Sequence, residues 1–290
     1  MNIGIFTDTY LPQINGVAAS AAMLKRNLEL QGHRVFVFTT TDPEALDRES
    51  GVFRIPSIPF TCSRRIGICL FPGFKELVES LQLDVIHTQT EFSLGQLGHY
   101  MSKALRIPMV HTMHTIYEEY THYLVHNKAL DYAAKLGAKK LTKHFCNQAA
   151  GVIVPTGKVK GMLEGYGVKK EMSVIPTGIE LERFSSEQYH GVQIEEQKEI
   201  YGIKKDEKVL LYIGRVSQEK NISEVLLGFA AYLAENRKVK FLIVGDGPDR
   251  GHLEALVQQL GIQEYVIFAG EKPWDEIGLY YQLGDEFVSA

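Results

Sequence analysis

At 290 residues the chain exceeds one ordinary compact core and is read as two domains. An apolar share of 45% beside a charged share of 23% excludes the disordered and membrane-spanning classes. A net charge of −4 excludes a general nucleic-acid binder, which needs a basic surplus to displace counterions from phosphates.

The start MNIGIFTDTY has no basic region and meets Asp8 early, so a signal peptide is not expected, and no uncharged run reaches the ~18 residues of a spanning helix. Ile3–Thr7 reads as the first strand, Val17–Leu30 as a helix closed by Gly32, and Arg34–Thr39 as the next strand. Residues 60–74, FTCSRRIGICLFPGF, read as an apolar loop carrying Arg64 and Arg65, a segment suited either to an interface or to the core. Cys62, Cys69 and Cys146 form no C-x-x-C pair, which indicates neither a disulfide framework nor a zinc ribbon and fits a reducing cytoplasm.

Further strands are predicted at Asp84–His87, Met109–Thr112, Gly151–Val154 and Met172–Ile175, alternating with helices. The stretch PTGIELERFSSEQYHG, residues 176–191, breaks this rhythm, which places a domain boundary near residue 180. The rhythm restarts with strands at Val209–Ile213, Val239–Val244, Tyr265–Phe268 and Glu286–Ser289. The fold class is therefore α/β: two Rossmann-like, doubly wound domains, 1–180 and 181–290, the second expected to be cut short. Ligands of such sheets bind outside the carboxyl ends of the strands.

Several loops carry candidate chemistry. In TDTYLPQINGVAAS, Gly16 lets backbone amides approach a ligand or merely permits the turn. The stretch VHTMHTIYEEYTHYLVH, residues 110–126, holds four of the ten histidines together with Glu118 and Glu119. His122 and His126 share a helical spacing, but the order differs from H-E-x-x-H and no D-x-D occurs in the chain, so no metal site is assigned. His111 and His114 follow the Met109–Thr112 strand and sit at its carboxyl end. Downstream, five lysines between Lys128 and Lys143 face the single Asp131. Lys128, Lys135, Lys139 and Lys143 form one stripe, and Leu130, Ala134, Leu141 and Phe145 another. Such a helix either packs on the sheet as a solvated surface element or lies on an anionic membrane, each lysine then contributing ~1 kcal/mol.

In the second half, LLYIGRVSQEKN puts Arg215 and Lys220 just beyond a buried strand, an arrangement suited to a diphosphate or to a plain solvated loop. FLIVGDGPDRG approaches the dinucleotide fingerprint, but Gly251 falls one place late and Asp249 would repel a pyrophosphate, so a tight strand-to-helix turn explains it better.

Taken in order, FTDTYLPQINGVA, HTQTEFSLG, VHTMHT, IPTGIELERF, YIGRVSQEKN and VGDGP resemble the retaining glycosyltransferases of family four, which have the two-domain GT-B fold. The resemblance runs nearly end to end and lies nearest to members that move glucose from UDP-glucose to diacylglycerol. It implies a donor site built from Gly16, Gly214, Arg215, Lys220, Gly245, Gly247, Gly270 and Lys272, with Arg215 and Lys220 clamping the diphosphate and Gly270 and Lys272 beside the uracil. Asn15 stands where the family has the first glycine of a pair. His114 corresponds to the histidine beside the reacting sugar, so the catalytic set is His114, Arg215 and Lys220.

A lipid acceptor implies acceptor or membrane contact at Tyr10, Asn15, Arg64, Arg65, Lys135, Lys139, Lys140 and Lys143. The implied partners are UDP-glucose and diacylglycerol or an anionic membrane surface, with no cofactor, no metal and no nucleic acid. The implied place is the inner face of the plasma membrane. The family's E-x-x-x-x-x-x-x-E motif would follow DEFVSA, beyond Ala290, which predicts weak donor binding and impaired turnover for this form. The rival readings are a family-four transferase with a soluble sugar acceptor, a nicotinamide oxidoreductase and an inactive binding module.

Overall fold

The computed structural model of the chain describes residues 1–13, 15–45, 49–61, 64–68, 72–114, 116 and 128–290. It divides into two compact units, Met1–Ile179 and Glu180–Ala290.

The first unit is built on seven parallel strands: β1 (Asn2–Phe6), β2 (Arg34–Thr40), β3 (Val52–Ile55), β6 (Val85–Thr88), β7 (Met109–Thr112), β8 (Gly151–Val154) and β9 (Met172–Val174). Their spatial order is β3-β2-β1-β6-β7-β8-β9. The chain winds outward from β1 in one direction and returns beside it at β6 to wind in the other. The junction of β1 and β6 is therefore the switch point, where the following loops diverge and leave a crevice. Register aligns the strand ends there, with Phe6 opposite Phe38 and Thr88, and Thr88 opposite His111.

Apolar residues fill both faces of this sheet. Phe6 stacks on Phe38 at 4.5 Å between ring centroids and Phe38 on Phe53 at 5.1 Å, while Phe74 meets Phe38 edge-on. Ile3, Ile5, Val35 and Val37 pack on the other side with Tyr10 and Ala21. Helix Ser93–Leu105 lies so close to the turn after β6 that a Cβ on Gly95 would fall 1.8 Å from the Thr90 carbonyl oxygen. Glycine is what lets the helix seat there.

The span expected to be an apolar loop is in part an antiparallel hairpin, β4 (Ser57–Thr61) with β5 (Arg64–Gly67). β3 and β4 escape the strand pattern because Arg54, Pro56 and Pro59 interrupt their apolar runs, and β5 because it opens on Arg64 and Arg65. Cys62 and Cys69 lie outside the described residues, and Cys146 is a buried free thiol that burial pushes up to about 12.

The second unit holds four parallel strands, β10 (Lys208–Ile213), β11 (Val239–Val244), β12 (Val266–Gly270) and β13 (Glu286–Phe287), in the order β12-β11-β10-β13. Alternate residues of β10 and β11 serve opposite cores. Val209, Leu211, Leu242 and Val244 face one side, and Tyr212, Phe241 and Ile243 the other. Near-continuous apolar strands are what burial on both faces requires.

Candidate active site

In the first unit the site grows from the loops after β1, β6 and β7. Asp8 leaves β1 and turns its carboxylate toward the start of helix Ser93–Leu105. It accepts hydrogen bonds from the Thr90 hydroxyl at 2.5 Å, the Leu94 amide at 2.9 Å and the Ser93 hydroxyl. Burial raises the Asp8 pKa, Ser93, Thr90 and Leu94 pull it back, and the Glu91 charge adds to the rise. Ser93 Oγ also accepts the Gly67 amide at 2.9 Å, tying hairpin β4–β5 to the same point.

The first loop is cross-braced. The Thr9 hydroxyl donates to Gln13 at 2.6 Å and accepts from Asn15 Nδ2 at 2.7 Å, and Gln13 Nε2 donates to Asp42 at 3.0 Å. Asn15 caps helix Gly16–Leu30, its Oδ1 accepting the Ala18 amide at 2.9 Å. Asn15 thus has a local reason to replace glycine, since it satisfies an orphan amide of the first turn. Gly16 opens the helix with no neighbour within 4 Å of its would-be Cβ. Tyr10 departs from expectation: it is 2% exposed and packed in the core, its hydroxyl bonded to Glu49 at 3.2 Å. That position withdraws it from contact with an acceptor.

Three histidines converge at the ends of β6 and β7. His87 Nε2 meets the Thr112 hydroxyl at 2.7 Å, and burial, with the His111 and His114 rings adding to it, lowers its pKa to about 3. His111 is fully buried, Nδ1 meeting the Thr88 hydroxyl at 2.9 Å and Nε2 meeting Glu91 at 3.3 Å. His114 Nε2 meets Gln89 Oε1 at 2.6 Å, and burial, reinforced by His111 against the pull of Glu91, lowers its pKa to about 4. His114 is therefore a neutral imidazole near pH 7. Glu118, Glu119, His122 and His126 lie outside the described residues. Sequence reasoning missed Asp8, Gln89 and Glu91, although TDT and HTQTE place polar residues right where strands end.

In the second unit, Arg215 and Lys220 are both exposed at the carboxyl end of β10, and neither forms an ion pair among the described residues. The chain runs through a short 3-10 turn, Gln218–Lys220, before helix Ile222–Tyr232, with Asn221 in the left-handed region at φ +50°. The Tyr212 hydroxyl donates to the Arg215 carbonyl at 3.0 Å, holding the turn onto the strand.

Gly245 and Gly247 have a packing reason of their own. A Cβ on Gly245 would fall 2.0 Å from the Gly214 oxygen, and one on Gly247 2.2 Å from the Val216 oxygen. The two loops cross backbone to backbone, Val216 donating to the Asp246 carbonyl at 3.0 Å. Asp249, whose charge argued against a dinucleotide site, is 5% exposed and its amide donates to the Val216 carbonyl. Gly270 is left-handed at φ +74°, accepts the Gly245 amide at 2.8 Å, and Lys272 nearby lies over the Tyr280 ring.

Helix Lys128–Gln148 differs from the two-stripe expectation. Lys135 pairs with Asp131 at 2.7 Å, Lys139 lies 4.9 Å from the Tyr166 ring centroid, and the Lys143 ammonium fills the space beside Gly167. Lys140 is exposed. Phe145 is in the core, whereas Leu130, Tyr132, Leu136 and Leu141 are exposed, at 61%, 68%, 42% and 38%. Lys139 and Lys143 thus lean on the end of the neighbouring helix Gly157–Tyr166, and exposed apolar side chains remain on the outward surface. On hairpin β4–β5, Arg65 is folded back onto Ser57, donating at 2.8 and 3.0 Å. Arg64 opens β5, its side chain outside the description. Ile58, Phe60, Ile66 and Ile68 share the other, exposed face. Among the described residues no helix is long and apolar enough to cross a membrane, and no cluster of three metal-ligating side chains occurs.

Residues 14–183 match the model of Glycosyltransferase Family 4, and residues 193–290 that of Glycosyl transferases group 1. The chain is 45% identical over its whole length to an alpha-monoglucosyldiacylglycerol synthase of Streptococcus pneumoniae, of which it covers 66%. It is 36% identical to one of Acholeplasma laidlawii, of which it covers 74%. The chain thus spans roughly two thirds to three quarters of the length of these relatives. Among solved structures, Anabaena Alr3699/HepE in complex with UDP and glucose aligns with TM-score 0.73 at 17% identity, over 100% of this chain and 74% of that one. Sucrose-phosphate synthase from Thermosynechococcus elongatus aligns with TM-score 0.68 at 20% identity, over 99% and 74%. These likenesses establish the shared fold.

Proposed function

Because the chain belongs to glycosyltransferase family 4, we propose that it serves to move glucose from UDP-glucose to diacylglycerol at a membrane surface, with retention at the anomeric carbon. The observation that carries the reading is the pair Arg215 and Lys220, two exposed cations without an ion-pair partner among the described residues at the end of a buried parallel strand. Cations fixed there offset the charge that gathers on a departing diphosphate. That both relatives are alpha-monoglucosyldiacylglycerol synthases supports glucose as the sugar and diacylglycerol as the acceptor.

The residues divide the work. Arg215 and Lys220 bind the diphosphate, Gly16 opens its helix to backbone approach, and the turn through Gly270 and Lys272 reads the base. As the bond from the anomeric carbon to the phosphate oxygen breaks, positive charge develops on the sugar. The acceptor hydroxyl attacks from the same face and passes its proton to the leaving phosphate. No protein nucleophile is required. His114, neutral and beside the sugar, hydrogen-bonds a hydroxyl without opposing that positive charge.

The exposed apolar residues of helix Lys128–Gln148 and of hairpin β4–β5, together with Lys140, support peripheral attachment to an anionic membrane, on its inner face in a cell. Calorimetric titration with UDP, UDP-glucose and NAD tests the donor, and transfer of labelled glucose tests the acceptor, with diacylglycerol in anionic vesicles against soluble sugars. Tighter binding of NAD, or transfer to soluble sugars alone, overturns the reading.

A further inference from the structure

Gln89 Oε1 and His114 Nε2 lie 2.6 Å apart at the ends of β6 and β7. We propose that Gln89 is a positioning residue that holds the single proton of His114 on Nε2, leaving Nδ1 as an acceptor for a hydroxyl of the bound sugar. The inference rests on reading His114 as the histidine beside that sugar.

The backbone places Gln89 firmly. It is the first residue after β6, its amide donates to the Phe6 carbonyl at 2.9 Å, and its side chain is 2% exposed. An amide oxygen can only accept, so the imidazole nitrogen facing it must carry the hydrogen. The titratable groups around His114 are His111, Glu91 and His87. Glu91 Oε1 is turned to His111 Nε2, and His87 Nε2 to the Thr112 hydroxyl. The partner given to the His114 ring is therefore an amide rather than a carboxylate.

That choice has a chemical consequence. A carboxylate in this place would favour the imidazolium, and a cation would oppose the positive charge developing on the sugar ring. An amide orients the ring and leaves it neutral, in keeping with the lowered pKa of His114. With one proton on the ring and that proton on Nε2, the lone pair of Nδ1 is free to receive a hydroxyl. Gln89 Nε2 is itself buried with no hydrogen-bond partner among the described residues. It is a donor left unused beside that acceptor.

Long-range nitrogen–proton spectra of the histidine rings, recorded on the 290-residue chain near pH 7 without ligand, read the proton position directly. The expected result is a protonated-type shift at Nε2 of His114 and an unprotonated-type shift at Nδ1. The reverse assignment overturns the proposal whatever any variant does. Gln89→Met is expected to bring in the Nδ1-protonated form, and an unchanged tautomer there also overturns it. Gln89→Glu keeps an acceptor, so the Nε2 proton stays while the titration midpoint of His114 rises by about one to three units. A midpoint that does not move reduces Gln89 to packing. Resonances of His87 and His111 report whether each variant is folded, and if Gln89→Met is not, the native chain and Gln89→Glu decide. Unchanged turnover in His114→Ala would remove the catalytic reading of His114 and leave the tautomer result standing, so the two failures are separable.

Discussion

The carboxylate of Asp8 accepts the amide of Leu94 at 2.9 Å, so a residue from the loop after β1 caps the helix that follows β6. The same carboxylate takes the hydroxyls of Thr90 and Ser93. Asp8 is the clasp across the switch point of the first sheet. Asp8→Ala leaves a buried amide and two hydroxyls without their acceptor. Unsatisfied buried donors cost about 1–3 kcal/mol, and a loss of that order is expected in denaturant unfolding of the chain. A variant as stable as the parent would show that the clasp is dispensable.

Acid should weaken the fold through the histidines. His87 and His114 are lowered from 6.5 to about 3 and about 4, so between those values and 6.5 the unfolded chain binds more protons than the folded one. Stability then rises with pH across that window and falls as pH drops through it. Asp8 acts in the opposite sense. Its pKa is raised above 3.8, so its contribution is present below that value and fades as pH climbs through the folded pKa. Two buried histidines against one carboxylate predict a melting temperature that declines from pH 6.5 toward pH 4, with a shallower decline in His87→Asn. Equal slopes in parent and variant would place the acid sensitivity elsewhere.

Arg215→Ala and Lys220→Ala are expected to separate binding from stability. Neither side chain has an ion-pair partner among the described residues, so the melting temperature should hold. A hydrogen bond to a charged group contributes about 1.5–3 kcal/mol, which corresponds to a loss of UDP affinity of roughly tenfold to a hundredfold for each, steeper at low salt. Calorimetry with UDP checks this, and affinity equal to the parent's would take the diphosphate away from this loop.

The lysines of helix Lys128–Gln148 should not behave alike. Lys140 is exposed, and Lys140→Gln is expected to weaken binding to anionic vesicles by about 1 kcal/mol. Lys139 lies over the ring of Tyr166, so Lys139→Gln should lower stability as well. Leu136→Ser, which removes an exposed apolar side chain, should weaken binding to vesicles of any charge. Vesicle sedimentation and thermal unfolding, run side by side, distinguish the three, and identical profiles would argue against a membrane role for this helix.

The sequence by itself determined the alternation of strands and helices, because strands buried on both faces need near-continuous apolar runs such as FLIV in β11. Polar residues placed right after such runs also put Arg215, Lys220 and His114 near carboxyl ends, whereas their roles came only from the family resemblance. It did not reveal strands β3 to β5, whose pattern Arg54, Pro56, Pro59, Arg64 and Arg65 break, nor that Tyr10 would turn inward to Glu49. Only the tertiary structure decided what each polar group meets. Asp8 and Leu94 are far apart in the chain, as are Gln89 and His114, and their pairings arise because parallel strands bring distant loops to one edge. Spacing along the chain encodes which face a residue takes, whereas partner, burial and protonation state follow from neighbours that only folding supplies.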